Sequence, residues 1–163
     1  MLFRSTGKST FDPNGYNVKS LAEKYGLWQK NVFEYPTRIP YLDVLTHLET
    51  ADAVFILGST EPHYTPSKTY QGVLSKKPIF AVLHSVSSAV NIIRESGAGI
   101  VLDFHGADDI VNVFHKFSSM FLDFTNQHKK YKQIEINLDV FQQYSAKFVA
   151  AQLARLLDLI YES

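Results

Sequence analysis

The stretch Gly58-Ser59-Thr60-Glu61-Pro62-His63-Tyr64-Thr65-Pro66-Ser67-Lys68-Thr69-Tyr70-Gln71 concentrates the residue types that could do chemistry. It follows a continuous apolar run, Ala53 to Leu57, and leads into helical apolar spacing at Tyr70, Val73 and Leu74. Thr65 and Ser67 are expected to cap that helix, and Pro66 suits its start. A helix start offers unpaired N–H donors and the positive end of a dipole, so it attracts anions. Lys68 in the first turn opposes the dipole and makes sense if an anion sits there. Backbone N–H groups, the Ser67 hydroxyl and Lys68 would then hold a phosphate together, with Gln71 one turn on along the same face. The plainer reading is a capped surface helix with a solvated lysine.

The flanking elements alternate in type. Leu2-Phe3 reads as the end of a strand and residues 5–15 as a loop. Val18, Leu21, Ala22 and Tyr25 predict a helix closed by Gly26. Val32 to Tyr35 reads as a strand stopped by Pro36, and Tyr41 to Leu48 as a helix with Asp43 in its first turn. Ala53–Leu57 reads as a strand buried on both faces, followed by a helix from about Ser67 to Lys76. Pro78–Leu83 reads as another buried strand. Next come a helix through Val86–Ile93 closed by Gly97, a strand at Ile100–Leu102 and a long helix beginning near Ala107. Residues 126–137 read as a polar connector, and residues 142–163 as a terminal amphipathic helix. This alternation predicts one α/β domain over residues 1–163, a Rossmann-like three-layer α/β/α fold with a mostly parallel sheet. Ligands of such sheets sit beyond the carboxyl ends of the strands, so functional residues are expected in loops 4–15, 36–40, 58–67, 84–87 and 103–106.

Composition narrows the classes. The 163 residues carry 16 Lys+Arg against 16 Asp+Glu, which leaves no basic footprint for nucleic acid. The absence of cysteine removes disulfide frameworks, thiolate zinc sites and cysteine nucleophiles. No apolar run approaches ~18 residues, so no membrane span is expected, and a cytoplasmic location is. Thr6-Gly7-Lys8-Ser9-Thr10 imitates the end of a phosphate-binding P-loop, but Leu2 stands where the motif needs its first glycine. His63 and His84 lie on the expected ligand side, whereas His47 and His115 read as ordinary helix residues. No metal-ligand spacing exists, so no metal is expected. Apolar residues begin directly after Met1, which reads as a chain cut from a longer one or a truncated reading frame.

Four segments occur in order: Leu48-Glu49-Thr50-Ala51-Asp52-Ala53-Val54-Phe55-Ile56, Thr65 to Gln71, Lys77-Pro78-Ile79-Phe80-Ala81-Val82, and Ser96-Gly97-Ala98-Gly99-Ile100-Val101. Together they resemble the C-terminal, nucleotide-sugar-binding half of retaining glycosyltransferases of the GT-B fold, group 1 or family 4-like. The resemblance covers roughly residues 30–105. It implies that Ser67 and Lys68 hold the donor diphosphate, with Lys68 also stabilising the leaving group. Gln71 stands where the family usually has a glutamate on the ribose hydroxyls, losing a charge-assisted bond. Glu61 corresponds to the other family glutamate, which contacts the donor sugar, although its spacing to Gln71 is longer than usual. Arg38 falls where the family contacts base or phosphate, and His63, Tyr64 and Thr65 complete the expected donor-binding set.

The function implied is transfer of a sugar from a nucleotide-diphosphate sugar to an acceptor. That donor is a substrate, and no cofactor is expected. Acceptor and catalytic base would come from an N-terminal domain absent from this chain, so the segment alone is expected to be inactive. Two other readings stay open: the matching half of a nucleotide-sugar epimerase, and a non-catalytic Rossmann-like module that binds a partner protein.

Overall fold

The computed structural model describes residues 3–9 by their backbone, and residues 14–128 and 134–161. The chain falls into two compact units, Met1–His47 and Leu48–Ser163.

In the first unit, β1 (Phe3–Ser9) pairs in parallel with β2 (Val32–Thr37), and α1 (Lys19–Lys24) lies between them in sequence. Residues 5–9 are therefore strand and not loop. The pairing runs Ser5 to Glu34 and Thr6 to Tyr35, with an irregularity between Thr6 and Ser9. Inter-strand bonding outweighs the weak strand preference of Ser, Thr and Gly here. Of the remainder of the expected loop, residues 10–13 lie outside the described residues, and Asn14 and Gly15 form a turn as expected. The second strand runs through Pro36 to Thr37, since only one neighbour pairs with it among the described residues. Proline is tolerated at such an edge because its missing N–H faces no partner strand. Glu34 is buried, and its carboxylate accepts bonds from Asn17 N–H at 2.7 Å and Val18 N–H at 2.9 Å. A strand residue thus caps the start of α1, whose own N-cap position, Val18, has no side-chain acceptor.

The second unit is a mixed α/β, Rossmann-like layered structure. Helix α2 (Tyr41–Thr50) carries the boundary between the units, after His47, and is followed by β3 (Val54–Leu57), α3 (Lys68–Leu74), β4 (Ile79–His84), α4 (Ser88–Glu95) and β5 (Gly99–Phe104). The three strands form one parallel sheet in the order β3-β4-β5. A short 3-10 turn at Ala107–Asp109 leads into α5 (Ile110–Gln127), followed by α6 (Leu138–Gln142) and α7 (Ala146–Tyr161).

Strand alternation sorts the central β4 between two helical layers. Ile79, Ala81 and Leu83 pack with Val73 of α3, with Ala89, Val90, Ile92 and Ile93 of α4, and with Phe141 of α6. Phe80 and Val82 face the other way and pack with Leu102, Phe104 and Phe124. The Phe80 ring lies 5.6 Å from Phe117, 5.2 Å from Phe121 and 5.4 Å from Phe124, all on α5. Both faces of β4 are therefore dry, which explains its unbroken apolar sequence. The other apolar run, β3, differs from expectation. Among the described residues it pairs with β4 alone, with Ile56 buried but Phe55 and Leu57 exposed.

Two glycines hold this sheet together. Gly97 takes φ +68° just past α4, a left-handed turn that suits glycine. Gly99 pairs with Ile79, and a Cβ there would collide with the Ile79 carbonyl and backbone nitrogen. At the far end, the helix expected over 142–163 is present as α7 but starts four residues later. Tyr144 N–H bonds back to the Phe141 carbonyl at 3.0 Å, closing α6 before α7 begins at Ala146. Residues 162–163 and part of the expected connector, 129–133, lie outside the described residues. Residues 126–127 of the expected connector extend α5 instead, and α6, Leu138 to Gln142, begins just beyond its end.

Candidate functional site

The carboxyl ends of β3, β4 and β5 gather three loops: residues 58–67, 85–87 and 105–106. Gly58 N–H bonds to the Val82 carbonyl at 2.8 Å, so the first loop leaves the sheet already tied to β4. Ser59 Oγ accepts the Glu61 N–H at 3.2 Å, and Tyr64 N–H closes a turn on the Glu61 carbonyl at 3.2 Å. Glu61 and His63 stand exposed on this turn. The Tyr64 carbonyl is captured by the buried Ser87, whose hydroxyl donates to it at 2.8 Å.

Thr65 behaves differently from the cap that its position predicts. Its Oγ1 lies 2.7 Å from Ser88 Oγ, the first residue of α4. Ser67 occupies the N-cap position of α3 but makes no cap bond, because its backbone is already helical (φ −56°, ψ −26°). A capping side chain folds back only from an extended backbone. The cap of α4 has that geometry: Ser87 is extended, and its Oγ accepts the Ala89 N–H. The loop is thus fastened to the helix after β4, and its own hydroxyl at Ser67 stays exposed.

Lys68 opens α3 and is exposed; Gln71 is half-buried one turn later. Seven residues make α3 too short for its dipole to dominate, so charge at this point comes from the Lys68 ammonium. Thr69 is fully buried, and its hydroxyl is the buried side-chain oxygen without a hydrogen-bond partner among the described residues. Glu61, His63, Tyr64, Thr65, Ser67, Lys68 and Gln71 therefore lie along one loop-helix segment of the second unit. Arg38 belongs to the first unit, exposed immediately after β2.

The imidazoles divide by burial. His84, expected on the ligand side, is the last residue of β4 and is buried. Its Nδ1 accepts the Val86 N–H at 3.2 Å and its ring meets Phe104 edge-on at 5.5 Å, so it shapes the turn. His105, just beyond β5, is exposed, with Nδ1 2.8 Å from Ser85 Oγ. Its N–H donates to Asp109 Oδ2 at 3.2 Å, and Asn112 donates to Asp109 Oδ1 at 2.7 Å. The Asn112 and His105 bonds hold the Asp109 carboxyl below its usual range. Asp103 is drawn off by an ion pair with Arg94 at 2.7 Å.

Sequence reasoning missed Ser85, Ser87, Ser88 and His105 as individuals, although it marked the loops that hold Ser85, Ser87 and His105. The signal for Ser87 was a hydroxyl residue directly before an apolar helical run. Nothing in the sequence pairs Ser85 with His105, because they follow different strands. Among the described residues, no group of three or more His, Asp or Glu side chains could hold a metal ion, and no helix is long and apolar enough to cross a membrane. No protein-family model, curated protein or solved structure matches the chain at a significant level.

Proposed function

We propose that the second unit binds the nucleotide-diphosphate sugar donor of a glycosyltransferase, within a longer enzyme that supplies the acceptor site. The observation that supports this most is the fastening of loop 58–67 to the start of α4. Ser87 holds the Tyr64 carbonyl and Thr65 meets Ser88, so the loop that carries Ser67 and Lys68 has a built conformation at the ligand-binding edge of a parallel sheet. In this reading Lys68 and the Ser67 hydroxyl bind the diphosphate, and Gln71 reaches the ribose hydroxyls. Catalysis comes from positioning the donor and neutralising the charge that develops on the leaving diphosphate. In this reading Glu61 and His63, exposed on the preceding turn, contact the donor sugar.

Thermal-shift titration of the 163-residue chain with UDP, GDP and their sugars tests the proposal. A ligand at 100 times its dissociation constant adds about 2.7 kcal/mol and raises the midpoint visibly. A shift with one nucleotide series, weakened by Lys68→Ala, is the expected result. No shift with any of them rejects the reading.

A second reading, a module that docks on a partner protein, is favoured by α7. Val149, Leu153, Leu156, Leu157 and Ile160 are all more than half exposed on that helix.

A further inference from the structure

We infer that the Ser85–His105 pair forms the subsite for the donor's sugar, with His105 bonding a sugar hydroxyl. The inference rests on the donor-binding reading above and names the part of the ligand that the β4–β5 edge takes. His105 and Ser85 follow neighbouring strands, each at the carboxyl end, where a ligand of this sheet sits. Loop 58–67 follows β3, two strands away from β5, or roughly 10 Å at ordinary strand spacing. A diphosphate held at Lys68 therefore leaves room for its sugar to extend toward His105.

The ring is held for such a contact. Ser85 engages Nδ1 at 2.8 Å, which leaves Nε2 as the second polar atom of the exposed imidazole. Asp109 fixes the backbone beneath it through the His105 N–H, and Asn112 fixes Asp109. Orientation of one ring nitrogen by a neighbour is how a histidine is prepared to present the other. The surroundings favour an uncharged polyol over a phosphate. Asp108 and Asp109 stand three and four residues on, Asp109 accepting the His105 N–H, and their negative charge disfavours an anion here. A hydroxyl both donates and accepts, so it bonds Nε2 in either neutral tautomer.

The test compares the 163-residue chain with its His105→Ala, His105→Gln and Ser85→Ala variants by titration calorimetry. The probes are UDP against UDP-glucose and UDP-N-acetylglucosamine, and GDP against GDP-mannose. Expected is a gain in affinity from diphosphate to its sugar in the parent chain, reduced about tenfold in His105→Ala with diphosphate affinity unchanged. His105→Gln, which keeps an amide donor near the Nε2 position, retains most of that gain, and Ser85→Ala loses part of it. Unchanged thermal midpoints confirm that each variant is folded. Equal losses for diphosphate and sugar conjugate, or a gain that survives His105→Ala, overturn the subsite and leave donor binding standing. So does equal affinity of the parent for a diphosphate and all its sugars. Failure of every probe to bind overturns the donor-binding reading, and the subsite with it.

Discussion

The Thr65 hydroxyl stands 2.7 Å from the Ser88 hydroxyl, joining the loop after β3 to the first turn of α4. Beside it, Ser87 donates to the Tyr64 carbonyl at 2.8 Å. Two hydroxyls from one helix start thus hold the loop that leads to Lys68.

Ser87 should matter more than its size suggests. Ser87→Ala removes the α4 cap and the loop fastening together. The expected cost is about 1–2 kcal/mol, read as a lower urea midpoint with an unchanged slope. The same variant should be cut faster by protease within residues 58–67. A variant as stable and as resistant as the parent would contradict the fastening.

Lys68 should separate stability from binding. Alanine is the better helix former and removes a cation from the start of α3. Lys68→Ala is therefore expected to leave stability unchanged or raise it by up to about 1 kcal/mol. Affinity for the nucleotide that binds should fall about tenfold or more. Calorimetry and denaturation on the same preparation check both halves.

Gly99 tests the sheet. Gly99→Ala forces a Cβ into the Ile79 backbone, which cannot move without disturbing the β4–β5 pairing. The expected loss is at least about 2 kcal/mol. A substitution at Gly26, where a Cβ meets nothing within 4 Å, faces only the strain of φ +65° and should cost less. Thermal midpoints of the two alanine variants give the comparison.

Glu34 sets an acid limit on the first unit. Burial alone pushes its carboxyl up, but bonds from Asn17, Val18 and Lys19 together outweigh that and hold it below the ordinary 4.5. A carboxyl with a depressed folded value stabilises fully above its unfolded value. It loses that contribution as pH falls through the folded one. Glu34→Gln should therefore cost about 1–3 kcal/mol near neutral pH. The gap between parent and variant should close as pH drops below 4.5, in urea denaturation followed across pH.

Much of the fold was legible because it follows from local pattern. Ile79–Leu83 reads as a doubly buried strand, and it is the centre of the sheet with helices on both sides. Gly26 and Gly97 were readable as helix stops, and both take positive φ. The Phe55 and Leu57 side of β3 misled, because a strand paired on one side, as β3 is among the described residues, and a strand paired on both share one apolar composition. Only the number of neighbours distinguishes them. Ser5–Ser9 misled for the opposite reason, since its strand character comes from pairing with β2 and not from its residues.

What the sequence determined by itself was the order of strands and helices, the dry centre at β4 and the loop that carries Ser67 and Lys68. Those follow from periodicity, turn chemistry and charge, which act over a few residues. The tertiary structure decided which polar groups meet. Glu34 caps a helix that begins 15 residues earlier, Thr65 leaves its own helix for Ser88, and Ser85 turns His105 from a neighbouring strand. Each of these bonds spans at least 16 residues of chain. Partners that far apart are brought together by hydrophobic packing of the sheet and its helices, and no spacing in the sequence records them.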